Sequence, residues 1–183
     1  GPMIQYFQIG FAELFHQKQQ PVTRPVDWSK HAYGALRPQG LESVKSTFRP
    51  PYRYSWKDTE KTLKVLAESP GDPFDGVLLR YADPITGGST LPTMSCEIQL
   101  LRPGEKGRSH RHTHTVIYHA FRGGGATTIE EKRFEWEQGD SFVLPLWKWH
   151  AHENGSKEPS ILFSINDRPT LEVLGFQREE ARD

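Results

Sequence analysis

The chain has 183 residues, 35% of them hydrophobic and 25% charged, with 23 basic and 23 acidic side chains. That length supports one sizeable core, and the charge balance supplies no electrostatic footprint for nucleic acid or an anionic membrane surface. The single cysteine, Cys96, rules out an intramolecular disulfide, and no apolar run reaches the ~20 residues of a membrane helix. A cytoplasmic protein with no membrane partner is the expectation, and Gly1-Pro2 ahead of Met3 reads as the remnant of a cleaved tag.

In chain order, Ile4 to Gln20 predicts a short amphipathic helix, with Phe7, Phe11, Leu14 and Phe15 at helical spacings. Pro21, Pro25, Pro38, Pro50 and Pro51 then interrupt a long irregular connection. Ser55 is a candidate N-cap for a helix carrying Asp58 in its first turn and Leu63, Leu66 and Ala67 as its apolar stripe. Asp72 to Gly76 is a turn cluster, followed by a strand from Val77 to Tyr81. Thr93 to Leu101 alternates, placing Met94, Cys96, Ile98 and Leu100 on one face and Ser95, Glu97 and Gln99 on the other. Further strands are predicted at Val116–Phe121, Ala126–Ile129, Arg133–Trp136, Ser141–Leu144 and Ser160–Ile165. Thr170 to Phe176 reads as a last helical turn and Arg178 to Asp183 as a frayed tail. Short, evenly spaced strands with glycine-rich turns predict an all-β fold, an antiparallel sandwich or barrel. The expected division is an N-terminal extension over 1–54, a β domain over 55–175 and a tail over 176–183.

Residues two apart in a strand point the same way, so His110 and His112 project from one face with Arg111 on the other. Neutral imidazole is the commonest protein ligand for first-row metals, and a third histidine from a neighbouring strand completes a site with open positions. His150, or His152, is placed for that role beyond Ser141–Leu144. Alone, a His-x-His pair is weak evidence, since solvated surface histidines share the spacing.

The wider spacing is specific. Gly104 lies six positions before His110, and Gly123 lies eleven beyond His112. Gly139 precedes Pro145 by six, His150 follows by five, and Asn154 comes four later. Over residues 93–167 this pattern resembles the two motifs of the cupin superfamily, which implies a jelly-roll barrel with a short helical N-terminal extension. In most cupins a glutamate ligand follows the second histidine by four or five positions; here Val116 and Ile117 stand there. The glycine usual two positions after the proline is replaced by Trp147. A glutamate-free site resembles the gentisate and salicylate type of ring-cleaving dioxygenases, which use three histidines. Counterparts of their wording include His110-Arg-His-Thr113, Tyr118-His119, Pro145-x-Trp-x-Trp-His150-x-His152, Leu162-Phe-Ser-x-Asn-Asp167, Asp75-Gly76-Val77 and Gly87-Gly88.

Those enzymes are bicupins about twice this length, and this chain is similar to their C-terminal half, with Pro21–Pro51 matching the interdomain connection. The resemblance implies a metal held by His110, His112 and His150. It implies Fe(II), with Mn, Ni, Cu and Zn as other divalent ions that three histidines accept. It implies a small aromatic acid and dioxygen as partners in the reaction, and a homo-oligomer. Tyr118 and His152 are candidate catalytic residues, and Arg108, Gln99 and Tyr118 candidate substrate contacts. For each of these four the plain alternative is a packed or solvated side chain. His114 and His119 are expected outside the site. The competing function is a non-catalytic cupin serving as the structural half of a larger enzyme, or another metal-dependent cupin activity.

Overall fold

A computed structural model describes residues 24–32 and 52–182. The predicted helix at Ile4–Gln20 lies outside the described residues. Helix α1 (Trp28–Ala32) interrupts the proline-rich connection, which had been read as irregular. Helix α2 (Trp56–Leu66) begins where expected, but Ser55 in the N-cap position makes no side-chain cap bond. Its stripe is narrower than predicted: Leu63 is fully buried, whereas Leu66 is exposed.

Ten strands follow: β1 (Val77–Arg80), β2 (Ser95–Leu101), β3 (His110–His112), β4 (Val116–Arg122), β5 (Gly125–Ile129), β6 (Lys132–Trp136), β7 (Ser141–Leu144), β8 (His150–Glu153), β9 (Ser160–Asn166) and β10 (Glu179–Ala181). A short helix α3 (Arg168–Leu174) precedes the last strand. The strands form two antiparallel five-stranded sheets, ordered β1-β2-β9-β4-β7 and β10-β3-β8-β5-β6, the expected all-β jelly roll. Strands β8 and β10 are not among the predicted strands, and β3 enters the prediction only as the extended His110-Arg111-His112 stretch. Strand β10 corrects the reading of a frayed tail, since Glu179, Glu180 and Ala181 pair with His112, Arg111 and His110.

Two apolar cores result. Leu101, Val116, Tyr118, Ala120, Trp136, Leu144 and Leu162 fill the space between the sheets. Leu63, Val77, Ile98, Leu100 and Ile161 seal α2 onto the outer face of the first sheet. Strand β2 is therefore covered on both sides. Its Ile98 and Leu100 meet the helix, while Ser95, Glu97 and Gln99 are buried on the opposite face.

Asn154 ties the barrel end together. Its Nδ2 reaches the carbonyls of Leu101, Arg102 and Glu158, and its Oδ1 accepts from Ser156 N and Oγ. Asn154→Ala strands several buried carbonyls at once, so it is expected to cost about 2–4 kcal/mol, read as a lower denaturant midpoint with unchanged slope.

Candidate metal centre

The chain leaves one sheet at His112 and enters the other at Val116, so β3 and β4 face each other across the barrel. His110 and His112 turn inward from β3, and His150 turns inward from β8 directly opposite His110 in the antiparallel register. The imidazole centroids are 4.2 Å apart for His110 and His150, 4.8 Å for His112 and His150, and 5.7 Å for His110 and His112. One ring nitrogen from each lies within 4.8 Å of the other two, and all three residues are buried.

Their hydrogen bonds assign tautomers. His112 Nδ1 donates to the His114 carbonyl at 2.9 Å, and His150 Nδ1 donates to the Lys148 carbonyl at 3.0 Å. A carbonyl only accepts, so each ring carries its proton on Nδ1 and keeps a lone pair on Nε2. His150 Nε2 and His110 Nδ1 are buried with no hydrogen-bond partner among the described residues. Orphaned acceptors of this kind are costly unless something occupies the space between them. Burial pulls His150 down to about 2 and His112 to about 3, and it also lowers His110. The three rings are thus neutral Lewis bases at any physiological pH, and the set fits a divalent metal ion.

His110 and His112 border a cavity of about 280 Å³, lined also by Asp75, Glu97, His114, Tyr118, Arg168 and Glu179, with Asp72 and Phe74 at its wall, while His150 lies behind it. Tyr118 is in this lining and comes from β4, in the sheet opposite the ligand strand. Desolvation raises its phenol well above the ordinary range. His152 is fully buried rather than a surface residue. Its Nδ1 bonds the Thr127 hydroxyl at 2.8 Å, which also accepts from Trp136 Nε1 at 3.0 Å. Its ring meets Tyr118 edge-on at 4.8 Å, one layer deeper than the cavity lining.

Gln99 is buried and donates from Nε2 to the Asp75 carbonyl at 2.9 Å, reaching the cavity only through Asp75. Arg108 is exposed, with its guanidinium over the Phe74 ring at 5.4 Å, and does not line the cavity. His119 is on the outside, against Ser141 Oγ. His114, expected outside, is in the lining: its ring stacks on His112 at 3.6 Å, because the bend after β3 folds it back inward.

Sequence reasoning missed Asp75 and Arg168. Asp75 belongs to the turn cluster that packs over the cavity. Its Oδ2 is 3.7 Å from His110 Nε2, and burial with neighbouring Asp72 and Glu97 raises its carboxyl to about 7. Gly107 allows that turn to approach: a Cβ there would come within 2.0 Å of the Phe74 carbonyl. Arg168 opens α3 and pairs with Glu172 and Glu179. An Asp-Pro-Phe-Asp run just before a strand was the available signal for the first; nothing local marked the second.

Trp147, where a glycine is usual, adopts a left-handed backbone with φ 57°. That conformation costs a side-chain-bearing residue roughly 1–2 kcal/mol. Its N–H donates to the His112 carbonyl at 2.7 Å.

The family model for the cupin domain matches residues 97–166. The chain is 40% identical over 160 residues to 5-aminosalicylate 1,2-dioxygenase of Comamonas sp, covering 86% of this chain and 42% of that protein. It is 32% identical over 185 residues to gentisate 1,2 dioxygenase 1 of Aquipseudomonas alcaligenes, covering 97% and 51%. A point mutant of salicylate 1,2-dioxygenase from Pseudoaminobacter salicylatoxidans, in complex with gentisate, superposes with a TM-score of 0.81 at 26% identity, covering 99% of this chain and 52% of that one. The chain thus spans about half the length of the curated relatives it matches.

Proposed function

We propose that the chain, whose residues 97–166 match the cupin domain, is one half of a ring-cleaving dioxygenase acting on hydroxyaromatic acids of the gentisate and salicylate type. The observation that carries the reading is the glutamate-free trio of His110, His112 and His150, converging inside a barrel whose relatives are named as 1,2-dioxygenases. Fe(II) is the ion proposed for the site; when bound it supplies dioxygen activation and a centre for chelation by adjacent hydroxyl and carboxylate oxygens. His110, His112 and His150 would hold the ion, and the cavity beside His110 and His112 would receive those oxygens.

The chain's own residues shape the rest. Val116, beside the histidines in the position of the missing glutamate, presents hydrocarbon to the cavity in place of a fourth donor. Phe74 and Tyr118 give ring-sized apolar walls, and Arg168, paired with Glu172 and Glu179, is the cation in the lining that a substrate carboxylate would have to recruit from those partners. Gln99 and His152 act behind this lining, through Asp75 and Tyr118 respectively.

The half-length match favours a second reading, in which this half carries metal but another cupin half performs the ring cleavage. Anaerobic loading with Fe(II), followed by oxygen electrode traces with gentisate, salicylate and 5-aminosalicylate, separates the two. Oxygen uptake with a new ring-cleavage absorbance is the expected result. Stoichiometric iron with no uptake across the panel would leave only the second reading. The cytoplasm and a homo-oligomer complete the proposal, supported by the single cysteine and by the exposed Ile117, Val143 and Leu146. No helix among the described residues is long and apolar enough to cross a membrane.

A further inference from the structure

Strand β3 holds two of the three histidines, yet it has three residues and a single register pair, His110 with His150, against β8. Something else must set the separation of the two strands. On the outer face, opposite the inward histidines, the Arg111 guanidinium sits 4.3 Å from the Trp147 ring centroid and 4.4 Å from that of Trp149. Both indoles belong to the segment that delivers His150. The same guanidinium donates from Nε and Nη2 to Glu180 Oε2 on β10, at 3.1 and 2.8 Å. Arg111 is therefore packed by the β8 approach on one side and anchored to β10 on the other. The Trp147 N–H bond to the His112 carbonyl lies in the same contact, held in a left-handed conformation that its indole must help to maintain.

We propose that Arg111, Trp147 and Trp149 are positioning residues, which fix His110 and His112 at ligating distance from His150 by clamping the two strands from outside the barrel. This rests on the metal reading of the histidines, and on no assumption about substrate. A planar guanidinium suits the task, because it stacks on an aromatic face and still donates in its plane.

Cobalt(II) titration of the full chain, followed by its visible d–d absorbance, tests the clamp. Arg111→Gln and Trp149→Leu are expected to weaken cobalt binding ~10–100-fold, the range for outer partners of metal ligands, and to alter the band shape. Trp149→Phe keeps a stacking face and is expected to stay within about threefold of the parent, by that same scale. Trp147→Gly keeps the left-handed backbone without strain but loses the ring; weakened binding there assigns the effect to the stack. Unchanged affinity and spectrum in Arg111→Gln and Trp149→Leu, even with a lower melting temperature, would overturn the proposal. If Arg111→Gln does not fold, the Trp149→Leu and Trp149→Phe pair decides. Failure of the unaltered chain to bind cobalt is a separate result, which removes the metal reading itself.

Discussion

Replacing His150 with alanine is expected to eliminate metal binding, with affinity falling well beyond the ~10–100-fold that removal of an outer partner costs. His150 is the ligand contributed by the second strand, and its ring is closer to each of the other two ligand rings than they are to one another. Without it the cavity retains two histidines from one strand, their centroids 5.7 Å apart. Anaerobic iron titration with metal analysis checks this, and oxygen uptake should fall to background in parallel. His119→Ala is the matching control, because that ring is on the outer surface against Ser141. A His150→Ala chain that still holds stoichiometric iron would refute the assigned site.

The second large effect is on stability against acid. His110, His112, His114, His150 and His152 are all held below the ordinary value of 6.5, first of all by burial. The unfolded chain takes up these protons near 6.5, while the metal-free fold refuses them until His114 reaches about 4 and His112 about 3. Below pH 6.5 the unfolded state thus binds more protons, and stability falls as pH falls through this window. His114 alone, displaced to about 4, contributes on the order of 3 kcal/mol of that loss. Asp75 works in the opposite direction: its carboxyl is raised to about 7, so its contribution is complete below its ordinary 3.8 and disappears as pH rises through 7. Five groups outweigh one, and the melting temperature of the metal-free chain is expected to level off above about pH 7 and drop steeply towards pH 4. A bound divalent ion adds stability by mass action near neutrality and is released as the histidines protonate, so the acid limb should steepen with metal present. A flat melting temperature from pH 7 to 4 would contradict the burial of these rings as neutral species.

The two cupin motifs were readable because turn glycines, a proline and histidines stand at the intervals of the family they resemble, and Gly104, Gly123 and Gly139 take the left-handed backbone that favours glycine. Alternation in Thr93–Leu101 likewise revealed both faces of β2. What escaped had no periodicity to reveal it. Strand β8 reads His-Ala-His-Glu and β10 Glu-Glu-Ala, neither with an apolar face, and β10 pairs with β3 where Glu180 meets Arg111, a contact 69 residues apart in sequence. His114 looked like a turn residue and is one; its inward stacking on His112 depends on how the chain changes sheets. Arg108 was proposed for its closeness to His110 along the chain. The cation in the cavity lining is Arg168, 58 positions beyond His110 and brought there by α3.

Strand β10 also bears on when the centre can form during synthesis. A ribosome delivers residues in order, and the strand carrying His110 and His112 is flanked by β8 and β10. Its outer neighbour does not exist until residues 179–181 have been translated, some seventy codons after His110. Strand β9, which completes the other sheet between β2 and β4, ends at Asn166, thirteen residues before β10 begins. The strand carrying His110 and His112 is therefore paired on both edges only after the other sheet has all its strands.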